Sequence, residues 1–309
     1  MTHIPQAIVV MPCFNAAEFV ASAIESVLAQ THRDFILAIV DDGSSDATVD
    51  IIRAYQHADA RVKLIQQPNS GPSAARNRGI ACVDSKYIAL IDSDDIWLPH
   101  HLEENLDRLE ADSALGVSFA ACSYISHRSE PLGTGSRIAK QSITKRDLLS
   151  GNPTTTCSSL VFRRQAFQSA GPFRTDMKFA EDQEWLFRLV NAGWRIEGSD
   201  SRTVRYRVAA SSLSPQTDKM KAGWQQFILI AEQLDPDLVK RERPRAEAVM
   251  NLYWARRALS GKRCTRSALG YLADAFRSSP IHTLERIAAS AHTSMRPSST
   301  AATSPVIAN

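Results

Sequence analysis

An α/β fold, with a mostly parallel sheet flanked by helices and a helical C-terminal extension, is what this 309-residue sequence predicts. Three observations carry the prediction. Short apolar runs recur between residues 8 and 91, each followed by turn residues and then by helical spacing. The runs are continuous rather than alternating, which marks strands buried on both faces of a helix-covered parallel sheet. After about Pro215 helical periodicity continues without strand runs.

The elements follow in order. Ile8–Met11 is a strand stopped by Pro12, and Val20, Ile24, Val27 and Leu28 mark the helix behind it. Phe35–Val40 is the second strand; Asp41–Asp46 is turn and cap chemistry, and Val49, Ile52 and Tyr55 lie on the next helix. Val62–Ile65 is a third strand, Pro68-Asn69-Ser70-Gly71-Pro72 a loop, Ser73 to about Val83 a small-residue helix, and Tyr87–Ile91 a fourth strand. A helix over Pro99–Ala111 is expected, with Pro99 near its first turn. Gly116–Ile125 then reads as strand, and the polar stretch 127–141 as a mobile surface loop. Cys157–Phe162 and Thr203–Val208 read as strands on either side of a helix over Asp182–Ala192. Residues 217–292 read as helices broken at Pro236, Pro244 and Pro280, and the Ser-, Thr-, Ala- and Pro-rich chain from Thr293 as a disordered tail.

Composition narrows the function classes. At 44% hydrophobic and 22% charged residues the chain is globular, neither collagen-like nor disulfide-dense. From Gln216 onward 14 Lys and Arg face 8 Asp and Glu, so the net charge of +3 belongs to the C-terminal part and points to no nucleic-acid partner. The five cysteines are widely spaced, without C-x-x-C, and read as buried reduced thiols. Met1-Thr2-His3-Ile4-Pro5 lacks the pattern of a secretory signal, and no apolar run is long enough to span a bilayer, so a cytoplasmic location is the expectation. The basic Lys240–Arg245 stretch and Arg256-Arg257 suit either a solvated face or peripheral contact with an anionic membrane surface. Ile138 spoils a G-x-G-x-x-G at Gly133 and Gly135, and Gly261-Lys262 is no P-loop. Trp97, Trp185 and Trp194 read as packing residues, and His100 and His101 as solvated.

Ligands of open parallel sheets bind beyond the carboxyl ends of the strands, and the acidic clusters lie there. Asp41 and Asp42 end the second strand; Asp92, Asp94 and Asp95 end the fourth. Five carboxylates in one crevice repel one another unless a cation or hydrogen-bond donors intervene. Oxygen-only ligands favour Mg²⁺ or Mn²⁺ over zinc. A loop or helix cap is the alternative role for Asp42 and Asp46.

In this order the motifs resemble glycosyltransferase family 2, the inverting nucleotide-sugar transferases of GT-A fold. They are Val10-Met11-Pro12-Cys13-Phe14-Asn15, Val40-Asp41-Asp42-Gly43-Ser44-Ser45-Asp46, Asn69–Asn77, Asp92-Ser93-Asp94-Asp95 and Glu181-Asp182, spread over about residues 5–214. The resemblance implies that Pro12 and Phe14, with Asn15 in the same loop, lie against the nucleobase and that Asp42 accepts a hydrogen bond from it. Arg76 would lie near the nucleotide with Asn77 supporting the helix start, and Asp92 would face the ribose with Ser93 beside it. Asp94 would hold Mn²⁺ or Mg²⁺ on the diphosphate, Asp182 would be the catalytic base, and Glu181 would orient the acceptor or its loop. Arg207 would help neutralise the diphosphate, a structural ion pair being the alternative.

The family often has a His where this sequence has Ala209, and no His occurs between His127 and His282; water then replaces that ligand. The implied organisation is a catalytic domain at 1–215, a helical extension at 216–292 and a tail at 293–309. The implied reaction moves a sugar from a nucleoside diphosphate, UDP foremost, to a glycan, lipid-linked or small-molecule hydroxyl, in bacterial-type polysaccharide or glycoconjugate synthesis. A nucleotidyltransferase and a catalytically silent sugar-nucleotide or glycan-binding protein are the rival readings.

Overall fold

The computed structural model describes residues 3–136, 138, 142–208, 217–260 and 265–294, and the chain divides into two compact units, Met1–Glu242 and Arg243–Asn309. Ala209, Cys264, the Gly261-Lys262 pair and the tail beyond Ser294 lie outside the described residues. Strands and helices alternate through β1 (Ala7–Cys13), α1 (Val20–Leu28), β2 (Phe35–Asp41), α2 (Thr48–Ala58), β3 (Val62–Gln66), α3 (Pro72–Ala81) and β4 (Tyr87–Leu90). Then come β5 (Ile96–Trp97), α4 (His101–Ala111), β6 (Leu115–Ile125), β7 (Pro131–Gly135), α5 (Lys145–Leu149) and β8 (Leu160–Arg163). The remainder is α6 (Arg164–Ala170), α7 (Glu181–Asn191), β9 (Arg195–Arg207), α8 (Thr217–Leu234), α9 (Pro236–Ser260), α10 (Thr265–Ser278) and α11 (Pro280–Ser294).

One mixed sheet runs in the order β3-β2-β1-β4-β8-β6-β9-β5, with β7 on β6. Its first four strands are parallel. β8 lies antiparallel between β4 and β6, and β9 is again parallel to β6. Ile8, Val9, Val10 and Met11 of β1 are all fully buried, as the continuous apolar run requires of a strand covered on both faces. Register places Cys13 opposite Asp41 and Val10 opposite Leu90, so the loops after β1, β2 and β4 open at one edge of the sheet.

Close packing of α3 on that sheet depends on Gly79, where a Cβ would stand 2.4 Å from Val10 Cγ1 and 3.1 Å from Val40 Cγ2. Gly79→Ala is expected to cost about 1–3 kcal/mol by overpacking, read as a lower urea midpoint at unchanged slope. An unchanged midpoint would show that the helix can shift outward without penalty.

Several sequence expectations are corrected. Within 127–141 the chain forms β7, hairpinned on β6 through the Ser126 N–H to Glu130 carbonyl bond of 2.8 Å. Its side chains are mostly exposed, so it carries no apolar run. β9 begins at Arg195, eight residues before the expected Thr203. Pro244 lies inside α9 rather than breaking it; the Lys, Arg, Glu and Ala residues around it are strong helix formers and oppose a penalty of about 3 kcal/mol. His101 is fully buried against Trp97 and shares a 2.7 Å hydrogen bond with Thr203 Oγ1. Burial pushes its pKa down to about 3, so it is neutral. The four described cysteines are all free, but Cys82 is exposed. Trp97 and Trp185 are core residues as expected. No helix among the described residues is long and apolar enough to cross a membrane.

Candidate active site

Where β1, β2 and β4 end, a cavity of about 510 Å³ opens. Of the residues singled out in the sequence, Pro12, Phe14, Asp42, Arg76, Asp92, Ser93 and Asp94 line it. Cys13, Asn69, Gly71, Pro72 and Ala75 also line it and were named only within motifs. Phe14 is 52% exposed, an aromatic face left open at a cavity wall. Asn15, Asn77, Glu181, Asp182 and Arg207 do not line it.

Asp42 shapes one side of the cavity. Its buried carboxylate accepts hydrogen bonds from Gln67 Nε2, Ser70 N and Gly71 N, each 2.8 Å long. A carboxylate offers about four acceptor positions, so the 67–71 loop takes three and leaves about one. Gly71 is needed in that loop because its φ is +88°, a region L side chains rarely enter. Asn15, itself at φ +48°, donates from its backbone to Ser44 Oγ and accepts from Ser45 N, which ties the β1 loop to the β2 loop. Asp46 accepts from Thr48 N and Ala17 N, so it ties the β1 loop to the start of α2.

The five strand-end aspartates do not all face the cavity. Asp41 accepts from Ser44 N. Asp95 is buried and accepts from Ser158 Oγ at 2.6 Å and Arg207 N at 2.8 Å. Asp42, Asp92 and Asp94 remain. Burial, and secondarily the charge of Asp92, push the Asp94 carboxyl up to about 6. Arg207 is spent on the framework: its guanidinium donates to the carbonyls of Asp94, Ser126 and His127 and lies 4.5 Å over the Phe19 ring. One buried nitrogen, Nη2, has no partner among the described residues.

Arg76 connects the cavity to α7. Buried on α3, it donates to Asp92 Oδ1 at 2.9 Å and to Glu181 Oε1 at 3.2 Å, while its Nε finds no acceptor among the described residues. Beside it Asn77 pairs through both ends of its amide with the Phe173 backbone, at 2.8 and 2.9 Å, so it holds α3 rather than a ligand. Glu181 and Asp182 begin α7, where the positive end of the helix dipole favours carboxylates. The turn into α7 passes through Ala180 at φ +60°, a strained conformation for a residue with a side chain. Helix α8 packs on α7 through the Phe187–Phe227 ring contact.

Asp182 accepts from Gln183 N at 2.7 Å and from Asn152 Nδ2 at 2.6 Å. Burial first, and then the neighbouring Glu181 charge, push its carboxyl up to about 7. Asn152 was not found in the sequence: it lies 30 residues from Asp182 in a loop with no motif. The site thus links an aromatic and carboxylate-lined cavity, through Arg76, to Glu181, whose chain neighbour Asp182 is a half-buried carboxyl poised near neutrality.

The glycosyl transferase family 2 model matches residues 8–171, more than half of the chain. The chain is 28% identical to the putative teichuronic acid biosynthesis glycosyltransferase TuaG of Bacillus subtilis (strain 168), over 74% of this chain and 88% of that protein. It is 29% identical to the Escherichia coli UDP-Glc:alpha-D-GlcNAc-diphosphoundecaprenol beta-1,3-glucosyltransferase WfgD, over 70% of this chain and 83% of that one. Among solved structures, the mannosyltransferase PcManGT of Pyrobaculum calidifontis, in complex with GDP-Man and Mn²⁺, superposes with a TM-score of 0.63 at 16% identity, covering 96% of this chain and 82% of its own. That likeness establishes the GT-A fold. One matching solved chain is longer, and this chain spans half of it. On the family match the chain belongs to glycosyl transferase family 2.

Proposed function

We propose that this glycosyltransferase moves a sugar, with inversion, from a nucleoside diphosphate sugar, UDP-linked foremost, to a hydroxyl of a glycan or lipid-linked acceptor in polysaccharide synthesis. The observation that carries the reading is the Arg76 bridge: this arginine lines the cavity, where it pairs with Asp92, and reaches Glu181, the chain neighbour of Asp182, at the start of α7. WfgD's UDP-glucose and diphosphoundecaprenol substrates and TuaG's polysaccharide support the choice of donor and acceptor class.

In this mechanism Phe14 and Pro12 stack on the base, the open acceptor position of Asp42 receives a base N–H, and Asp92 meets the ribose with Ser93 alongside. The Arg76 Nε, buried without an acceptor among the described residues, can donate toward a phosphate oxygen. Asp182 removes the acceptor's proton as its oxygen attacks the anomeric carbon from the face opposite the leaving diphosphate. No enzyme nucleophile intervenes, so the configuration inverts. Glu181, paired to Arg76, keeps the entrance to α7 in place.

Among the described residues no three His, Cys, Asp or Glu side chains gather as a metal site. Asp94 nevertheless suits a hard cation. Its carboxyl is crowded by Asp92, pushed up by burial and in no ion pair among the described residues, and Mg²⁺ or Mn²⁺ takes a single protein carboxylate when waters and diphosphate oxygens supply the rest. Such an ion would offset the charge that develops on the leaving diphosphate.

Thermal shift over a panel of nucleotide sugars, with and without Mn²⁺, tests the reading, since a ligand that binds the native state raises Tm. UDP-sugars with Mn²⁺ are expected to stabilise; stabilisation by nucleoside triphosphates alone would favour a nucleotidyltransferase. Asp94→Asn is expected to abolish the Mn²⁺-dependent part of the shift while leaving the ligand-free Tm within about 2 °C, because an unpaired crowded carboxylate holds nothing together. Unchanged Mn²⁺ dependence in calorimetry would remove Asp94 from the metal site.

A further inference from the structure

We infer that Asn152 is the positioning residue of the catalytic base, holding the Asp182 carboxylate in its reactive orientation through the Nδ2–Oδ2 hydrogen bond. The inference rests on the reading of Asp182 as the base.

The geometry supports it at both ends of the amide. Asn152 Oδ1 accepts from Thr154 N at 2.9 Å and from Thr154 Oγ1 at 2.8 Å. A backbone N–H can only donate, so the oxygen end of the amide is fixed and Nδ2 must face Asp182. The loop is itself anchored: Thr154 and Thr156 are buried, and Ser159 Oγ donates to the Thr154 carbonyl at 3.0 Å. On the other side Gln183 Nε2 bonds the Leu148 carbonyl, which ties the first turn of α7 to the end of α5. Asn152 is therefore a rigid donor on a loop clamped at both ends.

Each carboxylate oxygen of Asp182 then has one donor, Gln183 N on Oδ1 and Asn152 Nδ2 on Oδ2. Two donors on different oxygens fix the plane of the carboxylate, and each oxygen keeps lone-pair capacity for an acceptor's proton. A donor to the ionised form also favours that form. This matters because the surroundings oppose ionisation: burial, the neighbouring Glu181 on α7 and the Asp92 charge after β4 all raise the pKa, against which Arg76 of α3 and the Gln183 N–H lower it. Cys157, in the turn before β8, is the remaining titratable neighbour and stays a neutral thiol, raised by its own burial.

The two roles open to Asn152 predict opposite signs. If it merely packs the loop, removing it admits water to Asp182 and lowers the carboxyl midpoint toward the ordinary carboxylate range, or leaves it where it was. If it positions the base, removing the donor raises the midpoint. The experiment is a pH titration of the full chain labelled with [γ-¹³C]aspartate, Asp182→Asn identifying the Asp182 resonance by its loss. The expected wild-type midpoint is near 7, and Asn152→Ala is expected to raise it by about one unit, a tenfold smaller ionised fraction below the midpoint. Asn152→Ser keeps an acceptor for Thr154 N, is too short to donate to Asp182 and adds no charge, so it serves if the alanine variant does not fold, with an upward shift again expected. A midpoint unchanged or lowered in the folded variant overturns the role of Asn152. The base assignment is judged separately, by sugar transfer in Asp182→Asn: if that variant still transfers sugar the base reading fails whatever the titration shows, and if it is inactive while the midpoint stays put, only the positioning role falls.

Discussion

Asp182→Asn is expected to lower sugar-transfer turnover by about 10²- to 10⁴-fold, the usual contribution of a general base, while donor binding stays intact. The amide keeps the side chain's size but cannot accept the acceptor's proton at neutral pH. The pH dependence has a definite sign. A carboxyl pushed up to about 7 by burial and by Glu181 is protonated and inactive below that pH, so wild-type turnover should climb tenfold per pH unit on the acidic side and level off above it. Single-turnover transfer under acceptor saturation is the measurement, with the product's anomeric configuration determined alongside. Turnover within a few-fold of wild type, or a retained configuration, would rule out this base.

Arg76→Ala should produce the largest loss of stability. The guanidinium is buried and holds two carboxylates, and removing one member of a buried charged set leaves the others unpaired, at about 3–5 kcal/mol. Asp92 keeps 31% of its side chain in water, which places the cost at the lower end of that range. Arg76→Lys retains the charge but not the planar fork that reaches both partners at once, so it should recover only part of the loss. Urea unfolding separates the three proteins. Equal midpoints for wild type and Arg76→Ala would mean that water replaces the arginine at no cost.

What could be read from the sequence follows from what burial does to residue choice. β1, β2 and β4 are covered on both faces and are written as uninterrupted apolar runs, so their order and the loops at their carboxyl ends were visible. β7 is largely exposed, the first part of β9 (Arg195 to Arg202) buries only Ile196 and Gly198, and β5 has only two residues; none leaves an apolar run. The aspartates were legible by position, since they end strands. Which of them point inward was not, because that depends on partners far along the chain: Ser158 holds Asp95, and the 67–71 loop holds Asp42. His101 looked solvated because two adjacent histidines open a helix, yet one of them turns under Trp97. Asn152 was invisible for the same reason, its partner being fixed by folding rather than by spacing.

The ties from α3 to Phe173 and Glu181 also order events in time. Asn77 waits 96 residues for its partner and Arg76 waits 105. At ribosomal elongation rates of about 5–20 residues per second, a nascent chain carries the guanidinium for about 5 to 20 s before Glu181 is made. During that interval β1 to β4 and their helices can already assemble, but Arg76 then has Asp92 alone of its two carboxylate partners, and the N–H group meant for Glu181 must stay in water. The half of the molecule that would receive the nucleotide is thus built first and locked last, and the step that locks it is the same one that delivers Asp182, the proposed base.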